Sequence, residues 1–515
     1  MSRRRRRAGL AAGILILWVG VLAWHVRREY FRPLGVRLTE ASASLSPATS
    51  FYSVRLGDET IGFASSSIDT LPDGFQLTDD LRLRVRALGT RAPARAMTRM
   101  RLGRSLGLQE FSFSLASEVG DFRVTGATRG DSALTLKIAA GGDEQESTIA
   151  TNGPVLLSQM MPLRMVLGGN PEPGATYRFE IFDPSILDRQ RVDVRVLGRE
   201  TRVYPDSAVF DTAVGRWVPA TTDTVETWHV AERYGGVEIE SWLDPDGRVV
   251  RATSPLGYTM ERTAFEIAWN AYRAIESTGS ASRVPDIIEG TAISSGATLP
   301  AVGTLGRLTV RLRNVDLSGF DLAGGRQEIH GDTLVVEREG APLTAAYELP
   351  ADSARWAAAL APTPLIQVND PKIRARAREI VGDERDPVRA ARLLTDWVYR
   401  ALDKRVTLSV PSARQVLEAG RGDCNEHTVL YVALARAVGL PTRTATGLVH
   451  VRGRFYFHAW PEVWLGRWVA VDPTLGQFPA DASHLRFVIG GLARQVELVR
   501  LIGSLQVDVL DAEGP

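Results

Sequence analysis

Apolar and polar residues alternate along much of the chain between about residues 45 and 260, as they do in β-strands with one buried face. Leu81, Leu83 and Val85 alternate with arginines, and Phe111 and Phe113 alternate with serines. Gly-Asp and Asp-Gly pairs interrupt these runs at spacings typical of hairpins. The pattern predicts an antiparallel β-rich region, formed by one large twisted sheet or by two packed sheets.

The alternation gives way to a helical pattern at residues 264–277. A segment rich in Ser, Gly, Thr and Ala follows at 280–303 and is predicted to be a linker. A short β segment fills the chain up to residue 354. The sequence up to this residue shows no motif that suggests a catalytic or ligand-binding site. The charged side chains of this region are therefore predicted to lie on solvated strand faces.

Helix signals dominate the chain after Pro362. Asp370-Pro371 and Asp386-Pro387 each have the form of a helix cap and first turn, so two helices are predicted to begin there. A further helix is predicted over residues 425–439, after a glycine-containing turn, with Cys424 at or beside its N-terminus. Gly439 precedes a proline by two residues, which suits the end of a helix.

The N-terminal segment combines a basic cluster with an apolar run. Arg3–Arg7 precede an uncharged stretch from Ala8 to Trp24, which is about long enough to cross a bilayer. The larger number of arginines before the run places the N-terminus in the cytoplasm. We therefore expect a single-pass membrane protein whose bulk is periplasmic or at the cell surface. A signal peptide cleaved after Ala23 is the alternative.

Composition restricts the class of protein further. The 515 residues include 61 Lys and Arg and 60 Asp and Glu, so the net charge of +1 gives no support to a nucleic-acid partner. Cys424 is the single cysteine, which excludes an internal disulfide and a four-cysteine metal site. Because the start of a helix lowers the pKa of a thiol, the position of Cys424 favours a nucleophile.

A nucleophilic cysteine needs a base and a third group that orients the base. His458 is the favoured base, because strand alternation puts it on one face with Trp460, and the next strand ends at Asp472. A three-residue hairpin loop at 465–467 would place Asp472 opposite Trp460 and diagonal to His458, on the same face. A two-residue loop would turn Asp472 to the other face.

Other histidines of this region have no evident carboxylate partner in the sequence. His427 follows Cys424 by about one helical turn and is expected to lie along the helix surface, while His450 and His484 stand in the strand-forming part. A transition-metal site made of Cys424, His427, His450 and His458 is an alternative, although the spacings match no common site.

Three segments resemble the signatures of the transglutaminase-like superfamily in their usual order. They are Gly422-Asp423-Cys424, His458 to Val463 and Trp468 to Thr474. The resemblance covers roughly residues 365–490 and implies a papain-like core. It implies Cys424 as nucleophile, His458 as general base and acid, and Asp472 as the orienting group. The reaction implied is attack on an amide or peptide carbonyl to give a thioester acyl-enzyme, and we expect no cofactor and no resident metal.

These features predict an α+β protein with an N-terminal transmembrane helix, an antiparallel β-rich extracytoplasmic region and a C-terminal transglutaminase-like (papain-like) core. The predicted units are a cytoplasmic tail and anchor at 1–30, a β-rich domain at 45–279, a linker and small β segment at 280–354, a catalytic domain at 355–490 and a strand-like tail at 491–515. We expect a fragment of residues 355–515 to fold by itself.

The function expected is that of a thiol enzyme acting on a protein or peptide substrate in the cell envelope. Hydrolysis is favoured over transfer, because the sequence shows no acidic calcium-binding loop. A protein-crosslinking acyltransferase is one alternative, and a non-catalytic envelope binding or scaffold protein is another. The membrane is the other expected partner, through the N-terminal helix. The backbone N–H of Cys424 is a candidate oxyanion donor.

Overall fold

The computed structural model describes residues 34–141, 143–169, 171–277, 286–297, 299–300 and 303–514. The first half of the described chain forms one antiparallel sheet of 14 strands. They are β1 (Ala48–Leu56), β2 (Glu59–Leu71), β3 (Gly74–Ala87), β4 (Thr90–Gly103), β5 (Leu108–Ser117), β6 (Gly120–Arg129), β7 (Ala133–Ala140), β8 (Asp143–Ala150), β9 (Thr176–Asp183), β10 (Asp188–Asp211), β11 (Arg216–Tyr234), β12 (Val237–Leu243), β13 (Val249–Thr253) and β14 (Tyr258–Thr263).

The strands of this sheet follow one another as a meander, and β1 pairs with β14 to join the two halves, β1–β8 and β9–β14. The alternating side chains supply the core: Phe111 is buried in it together with Leu38 and Met160, which come from α1 (Leu34–Ser42) and α2 (Met160–Gly169). The prediction of an antiparallel β-rich region is confirmed, and of the two arrangements the structure has one large sheet.

Helix α3 (Phe265–Ser277) covers one face of strands β1 and β2, within one residue of its predicted start. Its Trp269 ring lies 5.2 Å from that of Phe63, and Tyr272 is buried beside them. Aromatic packing, rather than an extended core, attaches this helix to the sheet.

The second half of the described chain combines helices with smaller sheets. The helices are α4 (Ile287–Thr291), α5 (Ala357–Leu360), α6 (Pro371–Val381), α7 (Pro387–Ala401), α8 (Ala413–Ala419), α9 (Cys424–Ala437), α10 (Leu492–Gln495) and a 3₁₀ turn at Val496–Leu501. The strands are β15 (Ile293–Ser294), β16 (Arg307–Arg313), β17 (Gln327–His330), β18 (Thr333–Glu337), β19 (Asp403–Lys404), β20 (Arg421–Gly422), β21 (Thr442–Val451), β22 (Arg454–Trp464), β23 (Trp468–Ala470), β24 (His484–Ile489) and β25 (Gln506–Glu513).

Helix α9 forms the centre of this half. It packs against α6, α7 and α8 on one side and against β21 and β22 on the other, so nearly all of its faces are buried. The predicted starts of α6 and α7 are confirmed, since Asp370 and Asp386 accept hydrogen bonds from the first turns of these helices. Helix α9 begins at Cys424, one residue before the predicted stretch. The strands beside α9 follow the order β15-β22-β21-β24, and β23 pairs with β22.

The large sheet meets the second half at helix α8, close to the loop that precedes α9. Gln415 donates a hydrogen bond from Nε2 to the carbonyl oxygen of Asp121 at 2.7 Å. Gly120 allows this approach, because a Cβ there would lie 2.9 Å from the Gln415 side chain. Arg405 adds an ion pair with Glu118 at 3.6 Å.

No helix of the described residues is long and apolar enough to cross a membrane. The longest of them, α7, has 15 residues and one polar face, whereas a span needs about 20 apolar residues. This finding overturns the transmembrane helix of the predicted fold class and the predicted localisation as a single-pass membrane protein. The apolar run on which both predictions depended, at residues 8–26, lies outside the described residues.

The small β segment and the C-terminal tail form one sheet with the order β17-β18-β16-β25. Leu308 and Val336 of this sheet share a hydrophobic cluster with Phe455, Leu485 and Phe487 of the neighbouring sheet. Part of the predicted linker also belongs to a sheet, since β15 pairs with β22. The boundary that we predicted between residues 354 and 355 therefore divides a shared core, which argues against independent folding of residues 355–515.

A comparison of two fragments tests the shared core. Residues 292–515 should unfold cooperatively in urea, as followed by tryptophan fluorescence, because they contain both sheets. Residues 355–515 should give a broad transition with a smaller slope, since they lack the strands that cover Phe455 and Phe487. Equally cooperative unfolding of the shorter fragment would show that the cluster is dispensable.

Candidate active site

The turn before helix α9 fixes Cys424 as the first residue of the helix. Asp423 is the N-cap: its Oδ1 accepts from the backbone N–H of Asn425 at 2.9 Å, and its own N–H donates to Oε2 of Glu426 at 3.0 Å. These bonds form a capping box. Gly422 leaves the necessary space, because a Cβ there would lie 2.2 Å from the Cβ of Glu426.

Glu426 connects this turn to the loop that precedes it. The side chain is buried, and its Oε1 accepts hydrogen bonds from the hydroxyls of Thr407 at 2.6 Å and Ser409 at 2.5 Å. The parallel pairing of β19 with β20 joins the two ends of the same loop. The position of Cys424 therefore depends on buried hydrogen bonds around a satisfied carboxylate.

The hairpin between β22 and β23 has the register that brings His458 and Asp472 together. Trp464 pairs with Trp468, which leaves a three-residue loop at 465–467, and the middle residue, Gly466, has a φ of +76°. The three-residue loop is thus the arrangement that the protein adopts, and it directs the side chain of Asp472 to the face of the sheet that carries His458.

His458 and Asp472 form a buried hydrogen-bonded pair. The distance from His458 Nε2 to Asp472 Oδ2 is 2.8 Å. The other carboxylate oxygen, Oδ1, accepts from the backbone N–H groups of Thr474 at 2.7 Å and Leu475 at 2.9 Å. Burial alone would raise the pKa of Asp472, but the neighbouring imidazoles hold this pKa well below its usual range. Asp472 is therefore an anion at any physiological pH.

The sulfur of Cys424 lies against the strand that carries His458. The backbone N–H of Ala459, the residue after His458, donates a hydrogen bond to this sulfur. The structure thus brings the start of α9 to the middle of β22, and Cys424, His458 and Asp472 belong to one region of the domain.

The environment of the Cys424 sulfur differs from the one that the sequence suggests. Burial and the adjacent carboxylate of Asp423 raise the pKa of the thiol well above its usual value, and the N–H of Ala459 only partly opposes this. The prediction of a low thiol pKa took account of the helix start but not of the capping carboxylate of Asp423 beside the sulfur. Cys424 is therefore a neutral thiol at rest, and it needs a base to become a nucleophile.

Two of the other histidines have no carboxylate partner among the described residues. His427 is buried rather than on the helix surface, with its Nδ1 donating to the carbonyl oxygen of Asp423 at 2.7 Å, and burial lowers its pKa. The surface position that we expected for His427 is wrong. His450 is also buried, and its ring packs on Phe455. Neither histidine is therefore oriented by a carboxylate, as His458 is.

His484 is the residue of this site that the sequence did not reveal. Its Nε2 lies 2.9 Å from Oδ2 of Asp472, and its Nδ1 faces Asp481. The contact depends on the pairing of β24 with β21, which joins distant parts of the chain. Asp481, three residues earlier, is the one local signal that could have drawn attention to His484.

A buried ion-pair network holds the three strands of the site together. Glu462 of β22 accepts from Arg443 of β21 at 2.7 Å and from Arg486 of β24 at 3.1 Å. A buried carboxylate is tolerated only when it is paired, and here two guanidinium groups from neighbouring strands provide the partners. The network fixes the alignment of the strands that carry His458 and His484.

The side chains of His458, Asp472 and His484 are close enough to hold one metal ion, since a ligand atom of each lies within 4.8 Å of the others. Each imidazole, however, has a nitrogen at hydrogen-bond distance from the same carboxylate oxygen. This is the arrangement of two hydrogen-bond donors on one acceptor and not that of three ligands around a metal ion. Among the described residues, Cys424 and His427 do not belong to a group of side chains close enough to hold a metal ion.

Comparisons with known proteins identify the family of one part of the chain. Residues 374–473 match the family model of the transglutaminase-like superfamily, so this part of the chain is a transglutaminase-like domain and the resemblance in sequence is confirmed. The match ends one residue after Asp472. No curated protein matches the chain.

Several solved structures are similar to part of the chain. A candidate cysteine protease from Cytophaga hutchinsonii is 15% identical, with 41% of this chain and 87% of that chain covered and a TM-score of 0.27. A DUF1089 family protein from Pseudomonas aeruginosa is 14% identical, with 41% and 91% covered and a TM-score of 0.22. The periplasmic domain of TgpA from Pseudomonas aeruginosa is 16% identical, with 37% and 84% covered and a TM-score of 0.22.

The raised thiol pKa predicts how Cys424 reacts with iodoacetamide. The wild-type labelling rate should increase mainly above about pH 8.5, and Asp423→Asn should lower the midpoint and speed labelling several-fold at pH 7.5, because it removes the adjacent charge. Asp386→Asn, at the N-cap of α7, is the matched control and should change neither. A wild-type midpoint below pH 7 would contradict the described environment of the thiol.

The contacts of His484 with two carboxylates predict that the stability of the protein depends on pH. Asp472 and Asp481 outweigh burial and raise the pKa of His484 to about 9. Relative to an ordinary pKa of about 6.5, this contributes about 3 kcal/mol to the free energy of unfolding, present below about pH 6.5 and lost as the pH rises through about 9. Urea unfolding should show that His484→Gln is destabilised most at pH 6.5 and least at pH 10. A pH-independent difference would argue against a charged His484.

Proposed function

We propose that the transglutaminase-like domain is a thiol enzyme that acts on amide or peptide bonds. In this proposal Cys424 is the nucleophile, His458 is the general base and acid, and Asp472 orients His458. The observation that carries this proposal is the 2.8 Å hydrogen bond between His458 Nε2 and Asp472. The residue after His458 on the same strand, Ala459, donates its backbone N–H to the sulfur of Cys424. The bond to Asp472 leaves His458 Nδ1 as the nitrogen for proton transfer.

Acylation would begin when His458 takes the proton of the Cys424 thiol as the sulfur attacks the carbonyl carbon. The tetrahedral intermediate carries a negative oxygen, for which the backbone N–H of Cys424, at the start of α9, is the proposed donor. The C–N bond then breaks, and the protonated His458 gives its proton to the departing amine. A thioester on Cys424 and a neutral His458 remain.

Deacylation would use the same residues in reverse. Neutral His458 takes a proton from water, the resulting hydroxide attacks the thioester, and the proton returns to the sulfur as the acid product leaves. An amine in place of water would give a new amide bond and thus crosslinking. We favour water, because the sequence lacks the acidic calcium-binding loop of the calcium-dependent animal enzymes.

Two acceptors can be compared in one assay. Dimethylcasein is incubated with the full chain and a biotinylated alkylamine. Hydrolysis should release ammonia or generate new N-termini, with little incorporation of biotin. Predominant biotin incorporation would assign transfer instead. Absence of both reactions over a broad peptide library, with a thiol that still alkylates, would favour the non-catalytic scaffold.

Substitutions in the three residues test the proposed roles. Cys424→Ala and His458→Ala should reduce turnover to background, and Asp472→Asn should lower kcat about 10²- to 10⁴-fold, because His458 loses its orientation and tautomer. His427→Gln should keep most of the activity, since its Nδ1 is hydrogen-bonded to the carbonyl oxygen of Asp423 and not to His458 or Asp472. If His427→Gln costs more than His458→Ala, the base is wrongly assigned.

A further inference from the structure

One oxygen of Asp472 serves two histidines. Oδ2 lies 2.8 Å from Nε2 of His458 and 2.9 Å from Nε2 of His484, while Oδ1 is occupied by two backbone N–H groups. The two imidazole rings are 5.8 Å apart. Two imidazolium ions at this distance repel each other across the carboxylate that they share, so protonation of one ring disfavours protonation of the other.

The surroundings of His484 favour the charged form of this ring. Its side chain is completely buried, and its Nδ1 lies 3.3 Å from the carbonyl oxygen and 3.4 Å from Oδ1 of Asp481. Both ring nitrogens therefore face acceptors, and only the doubly protonated ring donates to both of them. His458 has one carboxylate contact and shares it.

Other charged groups near His484 do not reverse this preference. Arg486, two residues further along β24, is paired with Glu462. Lys404 of β19 interacts electrostatically with Asp472. Trp460 contributes an uncharged ring at 5.2 Å. The carboxylates of Asp472 and Asp481 are thus the negative groups that face the ring.

We propose that His484 is a positioning residue that holds a positive charge against Asp472 at neutral pH, so that His458 stays neutral at rest and can accept the proton of Cys424. The inference rests on the proposed function. It explains how a neutral thiol and a neutral base can coexist: Asp472 already faces the charged ring of His484, and His458 gains a proton only when the thiol gives one up.

Ring ¹⁵N–¹H NMR of the full chain, titrated from pH 5 to 10, tests the assignment without any turnover. In the wild type, the ring of His484 should keep its charge until the pH approaches about 9, after the ring of His458 has become neutral. In His484→Gln, which keeps a neutral donor beside Asp472, the pKa of His458 should rise by about one unit or more. A wild-type His484 that becomes neutral before His458, or an unchanged His458 pKa in the variant, would overturn the proposal.

The pH profile of kcat/KM gives the second readout. His484→Gln should shift the acidic limb upward with the pKa of His458, which lowers activity about tenfold on that limb and leaves the plateau at high pH nearly intact. His450→Gln, a buried histidine on the adjacent strand, is the control and should leave the limb in place. A uniform loss at all pH values would assign His484 a merely structural role.

These readouts separate two kinds of failure. If the chain has no activity but the NMR titration follows the expected order, the proposed function fails and the charge assignment of the two rings stands. If His484→Gln does not fold, the order of the two ring titrations in the wild type still decides the assignment.

Discussion

The Asp472 carboxylate is the group on which the site depends. An unpaired buried carboxylate is very unfavourable, and here four donors satisfy it: two imidazoles and two backbone N–H groups. The donors come from β22, from β24 and from the turn that follows Asp472 itself. The three segments can therefore fold against one another only when this network is complete, and the network in turn fixes the ring of His458.

The nucleophile is held by a separate set of interactions. A capping box, a buried glutamate and a short parallel strand pair place Cys424 at the start of a helix that is packed on nearly all sides. The two sets meet where the N–H of Ala459 contacts the sulfur. Packing of α9 on β22 is thus the step that brings nucleophile and base together.

Local signals in the sequence were sufficient for much of this site. Helix starts at Asp370 and Asp386 follow from capping chemistry within four residues. The sequence left the hairpin loop open between two and three residues, and the pairing of Trp464 with Trp468 decides for three. The contact of His484 with Asp472 was not predictable, because it depends on which distant strand pairs with β21. The raised thiol pKa was missed for a similar reason, since the burial of Asp423 and the sulfur is a property of the packed domain.

The central claim is that Cys424 forms a thioester with its substrate, and trapping this intermediate tests it most directly. The full chain is mixed with a peptide library, quenched in acid after milliseconds to seconds, and digested for mass spectrometry. The account predicts an acyl group on Cys424 that hydroxylamine removes and that Cys424→Ala lacks. An acyl group on another residue, or none while peptide bonds are still cleaved, would contradict it.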